Sequence, residues 1–183
     1  MNKIIWEIQC HSSLPAYRYC KKCGEKRAFT CSGQFRVNAQ QKHLDVWLIY
    51  KCPDCDTTWN ASVCCRVSPQ SIAPELLDGF YRNDGALAWQ YAMDSDFLGR
   101  NGAQAGLPQY SIAGDSFSVN ESTELEIISR YSFPARVSAL VREKLLLSRK
   151  EFDRLVTDGT LRSIPPQDLL KCRLRSGILL RFH

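Results

Sequence analysis

Cys20-Lys21-Lys22-Cys23 and, 28 residues further on, Cys52-Pro53-Asp54-Cys55 set four thiols in two Cys-x-x-Cys pairs. Two such pairs can surround one zinc ion with four thiolates, a closed tetrahedral set that leaves no coordination position for water or substrate. The pattern therefore predicts a structural metal and not a catalytic one. The gap is longer than the roughly 15–20 residues of the simplest two-pair pattern. It has room for a knuckle, an excursion of β-strand and a second knuckle. Gly24 follows the first pair, where such a turn calls for a positive φ. Asp56 holds the equivalent place after the second, and Asp tolerates that region better than most residues. A pair of disulfides, or four unrelated buried thiols, is the alternative.

The rest of the sequence favours metal. The cysteine total is nine, an odd number that does not complete a disulfide framework. No apolar run approaches the length of a membrane span, and Met1 to Glu7 lacks the apolar core of a secretory leader. The expectation is thus a cytoplasmic chain without a membrane, where thiols stay reduced and such pairs bind metal. Cys10, Cys31, Cys64, Cys65 and Cys172 remain, and small buried thiols are the ordinary reading for them.

Around the knuckles the sequence reads as β. Phe29 to Val37 and Leu44 to Tyr50 are rich in aromatic and branched residues, the second run leads straight to Cys52, and a third strand runs from Thr57 to Val63. Pro69 and Pro74 end that texture. Glu75 to Tyr81 and Ala86 to Met93 have helical spacing, residues 99–122 read as loop, and Leu125 to Tyr131 reads as a strand. In the last fifty residues, Val137, Leu140, Val141 and Leu145 line a helix with Pro134 in its first turn. Ser148 with Glu151 forms a capping box for a second helix that buries Phe152, Leu155 and Val156 and stops at Gly159. Leu161 to Ile164 and Ile178 to Phe182 follow as short strands. The predicted class is α+β: a zinc ribbon over 1–66, a helical and loop segment over 67–133, and a two-helix module with short strands over 134–183.

Charge divides along the same lines. Residues 1–66 carry ten Lys or Arg against five Asp or Glu, 67–133 three against nine, and 134–183 eleven against five. Two basic ends flanking an acidic middle point to an anionic partner, or to ends that dock on the middle.

The stretch Gln34-Phe35-Arg36-Val37-Asn38-Ala39, with Leu44 to Cys52 and Thr58-Trp59-Asn60, resembles a bacterial family known as domain of unknown function 1062. That resemblance spans most of the chain and implies no activity. Leu147-Ser148-Arg149-Lys150 with Leu155-Val156-Thr157-Asp158-Gly159-Thr160-Leu161 resembles the RNA-binding motif named after ribosomal protein S four. Ile164-Pro165-Pro166 and Arg175-Ser176-Gly177 stand where that motif has Asn-Gly and Pro-Gly-Asp. The resemblance implies RNA contact through the two C-terminal helices.

Phosphate contacts would then come from Arg136, Arg142, Lys144, Arg149, Lys150 and Arg154, of which Lys150 and Arg154 share a helix face. A solvated helix surface paired with Glu143, Glu151 and Asp153 is the plainer reading. Lys21, Lys22, Lys26, Arg27 and Lys51 surround the knuckles, either neutralising the thiolates or forming a second surface with Trp47 or Trp59. For catalysis there is little: His11, His43 and His183 form no metal or acid–base signature, Gly99 to Gly106 is no phosphate loop, and Asp94 with Asp96 falls in a turn. The expected function is a non-catalytic, zinc-stabilised protein that binds nucleic acid, RNA in preference to DNA, with no small-molecule substrate evident. A protein–protein adaptor built on the acidic middle and the aromatic ribbon is the alternative, and an enzyme using the Cys64 thiol or a site in the 95–120 loop the third.

Overall fold

The computed structural model describes residues 2–40, 42–132 and 135–183. In chain order its elements are β1 (Asn2–Cys10), β2 (Ala16–Cys20), β3 (Glu25–Gln40), β4 (His43–Lys51) and β5 (Thr58–Val67), then α1 (Pro74–Tyr81), α2 (Gly85–Ala92) and α3 (Ser95–Arg100). These are followed by β6 (Gln104–Ala105), β7 (Tyr110–Ala113), β8 (Thr123–Ser129), α4 (Val137–Leu145), α5 (Arg149–Thr157), β9 (Leu161–Ile164) and β10 (Gly177–Phe182). The class is α+β, as the sequence predicts. The division is not. Residues 13–108 form one compact unit, and residues 1–12 with 109–183 form another.

The 13–108 unit is built on a five-stranded sheet in the order β5-β4-β3-β2-β6. All its pairings are antiparallel. One face is apolar at every second residue: Leu44, Val46, Leu48 and Tyr50 of β4 are each at most 1% exposed, opposite Phe35 and beside Ala61. That period of two is what a half-buried strand requires. The three short helices cover this face through Phe80 of α1, Tyr91 of α2 and Phe97 of α3. Phe35 meets Phe80 edge-on at 5.0 Å between ring centres, and Tyr91 lies 5.4 Å from Phe97.

Two asparagines fix the helices to strand irregularities. Between Cys31 and Phe35, β3 departs from regular register. There Asn83, at φ 54°, accepts a 2.6 Å hydrogen bond from the Phe35 N–H. Asn101, just past α3, accepts from the Ser62 N–H and donates to the Ser62 and Phe97 carbonyls. Backbone groups stranded by a bulge are satisfied by side chains, as buried polar groups must be. Asp94, expected in a solvated turn, caps α3 by accepting from the Asp96 and Phe97 N–H groups. Residues 99–122, expected as loop, hold the end of α3, β6 and β7.

The other unit also carries a five-stranded sheet, in the order β7-β1-β8-β10-β9. Here β1 runs parallel to β8, with Ile4 beside Leu125 and Trp6 beside Ile127, while the other pairs are antiparallel. Its core comprises Trp6, Leu125, Ile127, Leu180 and Phe182 from the strands, with Val137, Leu140, Val141 and Phe152 from α4 and α5, all at most 1% exposed. The indole N–H of Trp6 donates to the Asp115 carbonyl at 2.8 Å. The capping box at Ser148 and Glu151 is present in full. Pro134, assigned to the first turn of α4, lies outside the described residues; α4 itself starts at Val137.

The charge-defined segments 1–66, 67–133 and 134–183 thus do not coincide with the folded units. β1, placed with the ribbon by sequence position, pairs with β7 and β8. β9 and β10 are not a separate small sheet but extend the one holding β1. Composition follows the chain, whereas strand pairing joins residues more than a hundred positions apart.

On the face of this sheet away from the core, Glu124 accepts from Arg181 Nη2 at 2.9 Å and lies 3.7 Å from Lys3. The Arg181 hydrogen bond, then the Lys3 charge, hold its carboxyl below the ordinary value of 4.5. A lowered folded-state pKa gives stabilisation that is present above the ordinary value and lost as pH falls through the lowered one. Glu124→Gln removes that contribution. The expected outcome is a shallower decline of Tm below pH 4.5 than in the parent chain, read by thermal denaturation across an acid pH series.

Candidate metal centre

The four cysteines stand at the ends of two hairpins. Cys20 closes β2, Cys23 and Gly24 turn the chain into β3, Cys52 follows β4, and Cys55 and Asp56 turn it into β5. Both turns have the same backbone form. Gly24 N–H donates to the Cys20 carbonyl at 2.9 Å and Asp56 N–H to the Cys52 carbonyl at 3.0 Å, each across four residues. Gly24 has φ 74° and Asp56 φ 59°, the left-handed conformations expected for those positions. Because β3 and β4 are neighbours, their hairpin ends lie side by side and the knuckles face each other.

Cys20 Sγ lies 3.5 Å from Cys55 Sγ, and Cys23 Sγ lies 3.8 Å from Cys52 Sγ. All four sulfurs fall within 4.8 Å of one another, and none is in a disulfide. A tetrahedral ion with metal–sulfur bonds of about 2.3 Å needs sulfurs about 3.8 Å apart. The observed spacing fits that demand, and is too long for a disulfide bond of about 2.05 Å. The four cysteines can therefore hold a metal ion. Cys20 and Cys52 are buried and the other two half-buried.

The surroundings favour thiolate at two of the four sulfurs. At 3.0 Å from Cys55 Sγ, the Thr57 hydroxyl can donate to the sulfur, and with the Thr57 N–H it brings the Cys55 pKa down to about 6. The Cys23 N–H lowers Cys20. Cys23 moves the opposite way, pushed up to about 12 chiefly by its hydrogen bond with Cys55.

Cations complete the centre. Arg27 reaches Glu25 at 2.6 Å and Asp54 at 3.1 Å, so it ties the first hairpin to the second knuckle. Lys22 Nζ donates to the Cys55 carbonyl at 3.2 Å, and Lys51 lies 3.5 Å from Asp56. Of the basic residues around the knuckles, Lys22, Arg27 and Lys51 thus work within the centre. Trp59 packs on Tyr50 and Phe29, with the Arg18 guanidinium 4.3 Å above its ring. It is a packing residue beneath the knuckles.

The remaining thiols are set up differently. Burial raises Cys10, Cys31, Cys64 and Cys172, and a hydrogen bond with Asp45 raises Cys65. An activated thiol needs the opposite shift. Asp45 is itself held low by the Arg66 N–H at 2.7 Å, in an open cleft of roughly 530 Å³ lined by Gln40, His43, Asp45 and Arg66. At both Cys64 and Cys65 the net shift is upward, despite the Val46 N–H at the first and the Arg66 charge at the second.

The six cations proposed to meet phosphate separate into two groups. Arg142 Nε donates to the Leu147 carbonyl at 3.4 Å, and Lys144 Nζ to the Ile112 carbonyl at 2.8 Å; both side chains are partly buried in structural roles. Arg136, Arg149, Lys150 and Arg154 are exposed. Arg149 lies 3.7 Å from Asp153, and Arg154 faces Asp158. Arg173 was missed by the sequence reading. An isolated antiparallel bridge sets it opposite Arg136, flanked by hydrogen bonds from Leu174 N–H to Ala135 and from Val137 N–H to Cys172. The run Lys171-Cys172-Arg173-Leu174-Arg175 showed the charge but not its partner across the bridge.

Cys52→Ser replaces one buried sulfur with a poorer ligand. The expected outcome is metal loss, read by elemental analysis of purified protein, with a fall in Tm; Cys65→Ser should change neither.

Neither the curated proteins nor the solved structures gave a match. The family described as Protein of unknown function (DUF1062) matches residues 37–166, a stretch that includes Cys52, Cys55 and both helices α4 and α5 and leaves Cys20 and Cys23 outside. With well over half of its length matched, the chain belongs to that family.

Proposed function

We propose that the protein is a non-catalytic, zinc-stabilised nucleic-acid-binding protein, with RNA preferred over DNA. Zinc is the ion best suited to four sulfurs at tetrahedral spacing, since it accepts thiolate and imposes no other geometry. A closed set of four thiolates makes the metal a structural staple that joins the two knuckles. The raised pKa values of Cys64 and Cys65 weigh against thiol chemistry.

The observation that carries the nucleic-acid reading is the opposed pair Arg136 and Arg173. Residues directly opposite in a narrow antiparallel pair have Cβ atoms about 4.5–5.5 Å apart, and like charges there cost stability. Both are exposed, they stand at the N-terminal end of α4, and the first turn of that helix carries no acidic residue. A phosphate placed between two guanidiniums relieves that repulsion through charge-assisted hydrogen bonds. On α5, Lys150 and Arg154 lie one turn apart on a shared face and supply further phosphate contacts. Such contacts bring salt-dependent affinity without sequence preference.

The test is fluorescence anisotropy with a labelled RNA hairpin at several salt concentrations. Binding should weaken as salt rises. Arg136→Glu with Arg173→Glu, and Lys150→Glu with Arg154→Glu, should each lower affinity about tenfold at low salt and reduce the salt slope by about two. Affinity and slope unchanged in both double variants would refute the reading. Zinc is checked by elemental analysis of protein purified without added metal, where about one zinc per chain is expected.

A further inference from the structure

The sheet of the 13–108 unit has a second face, away from its helices, and its side chains are unlike those of an ordinary solvated sheet. Tyr19 of β2 is 61% exposed and Tyr17, two residues earlier on the same side, 40%. Lys26 of β3 lies directly across from Tyr19; its ammonium donates to Gln104 Oε1 at 2.8 Å and stands 6.0 Å from the Tyr17 ring centre. The ring of Tyr17 rests on Gly106, where an added Cβ would collide with it and would come within 2.8 Å of Pro15 Cγ. Tyr17 is therefore held in place while the Tyr19 hydroxyl has no hydrogen bond among the described residues. Further along the same face, Thr30 pairs with Lys51 and Arg36 with Trp47, the Arg36 guanidinium 6.0 Å from the half-exposed indole. Of the carboxylates here, Asp45 is engaged by the Arg66 N–H, and Asp56 lies 3.5 Å from Lys51.

We propose that this face binds single-stranded nucleic acid, with bases stacking on Tyr19 and Tyr17 and the backbone passing along Lys26 and Arg36. Three features select that occupant. Cations alternate with aromatic rings, which complements a polyanion that also offers flat π faces. Residues two apart on a strand are about 6.6–6.8 Å apart, roughly twice the 3.4 Å rise between stacked bases, so bases on both rings must be unstacked from each other. A duplex hides its base faces and cannot meet that requirement. Stacking on exposed tyrosines reads base faces and not base edges, and so predicts little sequence preference. The surface is distinct from the arginine pair and shares with it only the class of ligand.

The test uses the intact metal-loaded chain with fluorescein-labelled decauridylate, and with the same strand annealed to decaadenylate. Tyr19→Ala should weaken binding of the single strand about tenfold with the salt slope unchanged, while Tyr19→Phe binds as the parent. Lys26→Glu should weaken binding and reduce the slope by about one. Duplex binding should be the same in the parent and all three variants. Metal content and circular dichroism matching the parent show that the variants are folded. Equal single-strand affinity in parent, Tyr19→Ala and Tyr17→Ala overturns the proposal. Absence of any decauridylate binding at low salt also overturns it. Loss on Tyr19→Ala together with indifference to the Arg136, Arg173, Lys150 and Arg154 reversals would sustain this surface while refuting the other.

Discussion

Four sulfurs held within a few ångströms, with no bond among them, are the constraint on which the 13–108 unit depends. Thiols at that distance are weak hydrogen-bond partners, and thiolates repel, so the arrangement is poor unless a cation joins it. The strands deliver the sulfurs there because two hairpins end in the same turn, one with Gly and one with Asp at the left-handed position. Arg27 then spans the gap from one hairpin to the other knuckle. The four-cysteine cluster and the sheet are therefore mutually dependent: β3 and β4 set the knuckles side by side, and the knuckles hold the open ends of both hairpins.

The two units solve the half-covered sheet in different ways. In the 13–108 unit, helices of six to eight residues cover one face through aromatic contacts, with asparagines joining helix ends to bulged or edge backbone. In the other, two nine-residue helices, the second closed by the Ser148–Glu151 capping box, bury Leu140, Val141 and Phe152 against strands drawn from distant parts of the chain. Helix propensity alone cannot sustain elements this short. Packing against a sheet is what keeps them helical, and the Asn83 and Asn101 hydrogen bonds hold them in register with it.

Much of this was legible in the residues. Metal ligation is written in residue type and spacing, so the cysteine cluster could be read directly, as could the left-handed places of Gly24 and Asp56. α1, α2, the Ser148 capping box and β3 to β5 followed from local periodicity. β1 did not, although Trp6 and Ile8 alternate inward, because its partners lie near positions 112 and 127 and nothing local names them. The same blindness placed unit boundaries at changes of charge. For the C-terminal cations, a sequence displays Arg142 and Lys144 as positive charge but conceals that each already donates to a carbonyl. Arg173 was hidden for the converse reason, since its importance comes from the residue opposite.

The pairing of β1 with β8 has a bearing on how the chain is made. Ile4 must wait for Leu125 before its side of the sheet exists, while every strand of the 13–108 unit finds its partners within that one contiguous stretch. During synthesis, which proceeds from the N-terminus at about 5–20 residues per second, β1 emerges first and stays unpaired for several seconds. The 13–108 unit, which carries the four-cysteine cluster, can collapse in that interval. Its folding is then a loop closure in itself, one that shortens the flexible path separating β1 from β8 and lowers the entropy cost of their encounter.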